Sequence, residues 1–448
     1  MTKQTMLSRL SRFAGIDFHV LTTLASRGWS VLAGALTVFF VPLFLSSTEQ
    51  GYYYTFSSLI GLQILFELGL GQVVLQMVSH ETAHLRIGNN GLLEGDATRL
   101  DRLASLIQLL RRWYTIAAVL FAVPACAAGS WFLHRRGELP ESSWLGVWIM
   151  MVVCTAINLS LTPALAFMEG CGQIGQVARL RLVQSAIGYG CLWLALIGRA
   201  GLWAACLIPL TCTVLTSHWI RHSGDIYKAL CQRRIQTSNA LNWMRDMLPL
   251  QWRIALSALS GYFIFYLMTP MVFAHRGASE AGQFGIAMTV FNALATVGTS
   301  WVYARTPAMA MHVSRGERPE LNAVFLAVLK RSFFFTGTVI TILLLAVWGL
   351  TAANVPQALR ISAPPVLACL AVVCLSNCVI FSAAAYMRAH REEPMLPVSV
   401  FGGLATVGIA YFGSQQSVFA MSLGYAALTS CVLLPWTLVL LTRYYRRR

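Results

Sequence analysis

Apolar runs long enough to cross a bilayer recur along this chain, separated by short polar gaps. Residues 142–168, 332–359, 361–387 and 394–442 contain no charged side chain at all, and about 20 apolar residues suffice for one transmembrane helix. The last run is long enough for two spans, with a turn at 411–416. The pattern predicts twelve helices, at 20–45, 51–78, 113–133, 143–168, 182–198, 201–220, 250–275, 281–303, 332–350, 364–387, 396–412 and 417–441. The fold class expected is therefore all-α, a polytopic membrane protein.

The gaps differ in charge, and they alternate. Of 33 basic residues, 26 fall in every second gap and at both ends, among them Arg86, Arg99, Arg102, Arg179, Arg181, Arg233, Arg315 and Arg443. Only five (Arg135, Arg136, Arg199, Arg276 and Arg360) fall in the others. Because basic loops stay in the cytoplasm, this bias predicts that both termini are cytoplasmic, in a bacterial inner membrane once the resemblance below is considered.

The same distribution explains the formal charge of +16. The charge is spread over loops that flank a membrane, where anionic headgroups attract it, and no basic domain stands apart for nucleic acid. Eleven cysteines fall mostly inside predicted spans and form no Cys-x-x-Cys pair, so they read as small packing residues. No phosphate-binding Gly-x-x-x-x-Gly-Lys-Ser/Thr loop occurs, and Gly69-Leu70-Gly71 lies inside a predicted span without a βαβ context. No cofactor is called for. His80-Glu81-Thr82-Ala83-His84 matches the zinc-protease spacing, but a third ligand and a protected cavity are missing. The pair reads as a solvated helix end, and the chain is expected not to be an enzyme.

The organisation expected is two six-helix bundles, 1–220 and 250–448, joined by a cytoplasmic linker at 221–249. Within that linker 225–235 separates apolar from basic residues at helical spacing and is suited to the headgroup surface. A weak internal similarity supports the duplication. The first span ends Val41-Pro42-Leu43-Phe44-Leu45 and runs through Ser47-Thr48-Glu49-Gln50-Gly51-Tyr52-Tyr53 into the second. The seventh carries Thr269-Pro270-Met271-Val272-Phe273 and runs through Ser279-Glu280-Ala281-Gly282-Gln283-Phe284 into the eighth. Duplicated bundles place the substrate between repeats and work by rocking.

The stretch from Gly51-Tyr52-Tyr53-Tyr54 through Phe66-Glu67-Leu68-Gly69 to Ser79-His80-Glu81, following a first span that ends in Pro42, resembles the opening of bacterial polysaccharide-export proteins. These form the O-antigen flippase branch of the multidrug/oligosaccharidyl-lipid/polysaccharide (MOP) exporter superfamily. The resemblance implies a transporter that flips a lipid-linked oligosaccharide across the inner membrane for surface polysaccharide biosynthesis. It implies an undecaprenyl carrier, membrane lipids as surroundings and polysaccharide polymerase machinery as a partner. A cation-coupled multidrug exporter of the same superfamily is the alternative.

Three ionisable residues lie inside predicted spans: Arg27, Arg253 and Glu67. A charge in hydrocarbon is costly, so each is a functional candidate facing the protein interior. Arg27 and Arg253, one per half, are expected to hold the phosphate or pyrophosphate of the substrate, since guanidinium grips phosphate oxygens in bidentate fashion. Headgroup snorkelling is the plainer account of Arg253. Glu67 is expected to serve either as a proton or sodium relay or as an ion-pair partner of Arg27. Two arginines against one glutamate favour an anionic load.

Overall fold

A computed structural model describes residues 18–67, 70–88, 92–235, 248–353, 355, 359–390 and 394–446. Among the described residues the regular structure is helical apart from one antiparallel ladder of two-residue strands, β1 (Arg86–Ile87) and β2 (Leu93–Glu94). In chain order the helices begin with α1 (Phe18–Phe44), α2 (Ser47–Ile60), α3 (Gln63–Glu67), α4 (Leu70–Thr82) and α5 (Ala97–Arg136). They continue with α6 (Glu141–Gly170), α7 (Ile174–Ile197), a 3₁₀ turn (Gly201–Cys206), α8 (Leu207–Ser223) and α9 (Asp225–Gln232). The remainder comprises α10 (Leu248–Phe265), α11 (Met268–Arg276), α12 (Ala278–Arg315), α13 (Arg318–Ala352), α14 (Pro364–Ala389), α15 (Leu396–Gln416), α16 (Val418–Ala427) and α17 (Leu434–Arg446). Ten helices among the described residues are long and apolar enough to cross a membrane. The protein is a multi-pass membrane protein.

Several helices outrun the spans predicted from hydropathy. The α5 helix has 40 residues, α12 has 38 and α13 has 35, lengths of about 50–60 Å at the helical rise. Their extra turns carry the basic residues of the gaps, so segments expected as loops continue as helix.

Elsewhere an expected span is interrupted, and glycine or proline is the cause. The predicted second span is interrupted by a turn at Gly61–Leu62, between α2 and α3. Gly61 costs about 1 kcal/mol of helix propensity relative to alanine. The seventh span breaks between α10 and α11, where Pro270 has no N–H for the Tyr266 carbonyl. The last span passes through a π-helical turn, Leu428–Leu433, just before Pro435, which likewise cannot bond the carbonyl four residues back.

The chain folds into two compact units. The first contains residues up to Thr37, Leu62–Trp131 and Glu141–Ala255; the second contains Val38–Gly61, Phe132–Pro140 and everything from Leu256 onward. In the first unit, α4 packs on α6, and α7 and α8 pack on each other. The α9 helix turns Ile226, Tyr227 and Leu230 into this unit. Its C-terminal carbonyls at Leu230, Cys231 and Arg233 accept from Gln108 Nε2, and Arg233 Nε donates to the buried Asp101 at 2.8 Å. The apolar side of α9 thus packs into the unit's own core.

In the second unit α14 is the most enclosed helix, flanked by α12, α13 and α16. Its small residues Cys374, Cys378, Ser382 and Ala383 permit close approach. Ser332 of α13 donates to the Gly298 carbonyl of α12, and a side chain on Gly298 would meet Thr336 Oγ1. The α2 helix also packs on α12, through Gly51, Gly282 and Gly285.

Candidate functional site

Glu67 lies on α3, one turn past the interruption of the second span at Gly61–Leu62. Its side chain is half-buried and reaches forward along the chain, since a Cβ on Gly71 would stand 3.3 Å from Glu67 Oε1. Glycine at 71 therefore leaves the room that the carboxyl occupies. Breaks of this kind free backbone carbonyls from the helical ladder, and within a membrane they are tolerated only where protein or a wet cavity surrounds them.

Two groups act electrostatically on Glu67 among the described residues: the Arg181 guanidinium of α7 and the Tyr114 hydroxyl of α5. Tyr114 is fully buried, and its hydroxyl has no hydrogen-bond partner among the described residues. Leaving such a group unmade costs about 1–3 kcal/mol. Arg181 has a second partner, because its Nη2 lies 3.0 Å from Glu169 Oε1 on the last turn of α6. Glu169 is held there by the crossing of α6 with α4, where Gly170 meets Val78 and the Gly170 carbonyl accepts from Thr82 Oγ1 at 3.2 Å. Arg181 is thus ion-paired with Glu169 and acts on Glu67 only through space.

Arg27 is carried by α1 and Arg253 by α10; their side chains lie outside the described residues, as does any pairing of Arg27 with Glu67. Arg181 and Tyr114 were not singled out by sequence reasoning. Arg181 had a signal, since an acid at 169 and a base at 181 flank the sharp turn at Gly172, whose φ is +85°. Tyr114 had none, because tyrosine at the start of a span is the common membrane-interface residue.

The His80-to-His84 motif is a helix end. His80 and His84 are exposed with ring centroids 6.4 Å apart, and Glu81 is engaged by Arg99 at 3.2 Å and Arg102 at 3.7 Å. Among the described residues no group of three His, Cys, Asp or Glu side chains is disposed to hold a metal.

No family model matches the chain, and no curated protein matches it. Solved structures do. A multidrug resistance MATE family transporter of the MOP superfamily, in an inward-facing conformation, superposes with a TM-score of 0.60 at 15% identity, covering 96% of each chain. The lipid II flippase MurJ, in an inward closed conformation, gives 0.67 at 11% identity over 94% of this chain and 87% of that one. A MOP superfamily transporter from Pyrococcus furiosus, described as having a binding pocket of reverse polarity, gives 0.57 at 13% identity, covering 95% of each. At such identities the likeness establishes architecture: this chain has the fold of the MOP superfamily transporters.

Proposed function

We propose that the protein flips a lipid-linked oligosaccharide, held by its phosphate or pyrophosphate, from the cytoplasmic to the periplasmic leaflet of a bacterial inner membrane. The observation that carries this reading is the balance of intramembrane charge, Arg27 and Arg253 against Glu67, on a fold of this superfamily. An anionic headgroup matches two permanent guanidinium charges, and a solved relative of the same fold is a lipid II flippase. The two halves, 1–220 and 250–448, rock about the load while the sugars occupy a wet interior and the lipid tail stays in the bilayer. The 26-to-5 bias of basic residues sets both termini in the cytoplasm. Polymerases that lengthen the glycan are the natural downstream partners.

Glu67 supplies the coupling. A half-buried carboxyl within electrostatic range of the unpartnered Tyr114 hydroxyl and of a guanidinium already engaged by Glu169 suits uptake and release of a proton as the halves move. The same feature favours the second reading, a cation-coupled multidrug exporter, as does the MATE relative. The experiment that tests the proposal is deletion followed by analysis of lipid-linked sugars on each leaflet. Accumulation of a lipid-linked oligosaccharide on the cytoplasmic face is the expected result. Unchanged glycolipids together with drug hypersensitivity would establish the exporter.

A further inference from the structure

The sequence holds two histidine pairs spaced one helical turn apart, His80 with His84 and His218 with His222. Spacing does not distinguish them, but ring geometry does. The rings of His80 and His84 are 6.4 Å apart, and Glu81 beside them is taken by Arg99 and Arg102. The rings of His218 and His222, on the last two turns of α8, are 4.4 Å apart with their planes inclined at 47°. Two imidazoles bonded to one ion at about 2.0–2.1 Å bring their ring centres to about 4–5 Å. The second pair thus stands at chelating separation.

Both rings of that pair are exposed, and among the described residues neither has a hydrogen-bond or ion-pair partner. In contrast, His275, His312 and His390 each engage a ring nitrogen, with Ser414, Glu317 and Tyr386 respectively. Val214, one turn before His218 on the same face, is exposed and apolar, so the pair lies where an apolar stripe gives way to a polar helix end. The α8 helix stops at Ser223, and the partial negative charge of its carbonyl end favours a cation there. Lys228 already answers it, donating its ammonium to the Arg221 carbonyl.

We infer that His218 and His222 form a site for a divalent transition-metal ion at the arginine-rich end of the first unit. Two imidazole nitrogens without a carboxylate suit nickel, copper or zinc and not the oxygen-seeking magnesium or calcium. No third His, Cys, Asp or Glu side chain joins them among the described residues, so water fills the remaining positions. Nothing behind either ring steadies it as a permanent metal ligand is steadied. The ion is therefore exchangeable, held according to its concentration, and distinct from a structural or catalytic centre. By joining residues one turn apart it fastens the end of α8 just before Gly224, where α9 begins.

The inference is independent of the load assigned above, and its test uses the metal alone. Untagged full-length protein in detergent, stripped of metal, is titrated with nickel(II) by calorimetry. The parent is expected to bind one ion, and His218→Ala and His222→Ala are each expected to weaken that binding about tenfold or more, because a chelate becomes a single ligand. His80→Ala and His84→Ala should leave it unchanged. Monodispersity establishes that each variant is folded; if one of the α8 variants is not, the other decides. No binding by the parent, parental affinity in both α8 variants, or loss in His80→Ala instead would overturn the site. Flipping by His218→Ala in metal-free buffer is expected at the parental rate, so failure of the metal site and failure of the assigned load are read separately.

Discussion

Gly51 of α2 and Gly282 of α12 lie against each other with no space for a side chain on either. A Cβ on Gly282 would stand 2.8 Å from the Gly51 nitrogen, and one on Gly51 would stand 1.9 Å from the Ala278 carbonyl oxygen. The two glycines occupy matching places in the weak internal repeat, two residues after Glu49 and Glu280 respectively. The close approach of these two glycines lets α2 and α12 pack backbone to backbone within the second unit.

Substitution at this crossing tests how much stability the contact contributes. Gly51→Ala and Gly282→Ala force backbone apart, and each is expected to destabilise by about 1–3 kcal/mol, the usual cost of overpacking. Gly408→Ala is the control, since its Cβ meets nothing within 4 Å. Helical Gly→Ala at such a site is expected to be neutral or stabilising by up to about 1 kcal/mol. Thermal unfolding in detergent, followed by loss of monodisperse protein, provides the comparison. Equal midpoints for all three variants would remove the crossing from the account.

Arg27 is expected to matter for transport and not for abundance. Arg27→Ala should abolish export of the glycolipid at near-normal protein level, and Arg27→Lys should restore it only in part, because a point charge replaces a bidentate fork. The same pair of substitutions at Arg253 separates phosphate binding from headgroup snorkelling, for which lysine serves as well as arginine. Export at the parental rate by Arg27→Ala would take this residue out of the site.

Transport in proteoliposomes with and without an imposed pH gradient examines Glu67. Glu67→Gln should fold and flip substrate yet lose its response to the gradient, while Glu169→Gln, which leaves Arg181 to Glu67 alone, should keep a response of altered pH dependence. A fixed ion pair predicts otherwise. Then Glu67→Gln and Arg181→Gln would both lower abundance, since breaking one partner of a pair in the membrane strands the other charge. Gradient dependence in Glu67→Gln equal to the parent's refutes the relay.

Orientation has its own measurement. Cysteines placed at Ser47 and Gln415 should react with impermeant reagent in intact cells, whereas one at Ser238 should react only after permeabilisation. Reaction of Ser238→Cys from outside would invert the topology.

Hydropathy by itself determined that this is a helical membrane protein and roughly where it crosses, because hydrocarbon demands uninterrupted apolar length and hides no unpaired backbone. The charge bias likewise picked out one end, and the cost of an intramembrane carboxyl picked out Glu67. Tertiary structure decided the rest. Hydropathy counts apolar residues without regard to order, so it runs straight through the turn at Gly61, the break before Pro270 and the π-helical turn before Pro435. It reads the long polar ends of α5, α12 and α13 as loops, where the structure continues them as helix. The Arg181–Glu169 pair joins α7 to α6, and the bond from the Ala278 N–H to Glu138 Oε1 spans 140 positions. No periodicity encodes such pairings; they exist only once the helices have packed and a carboxylate must find its donor across the fold.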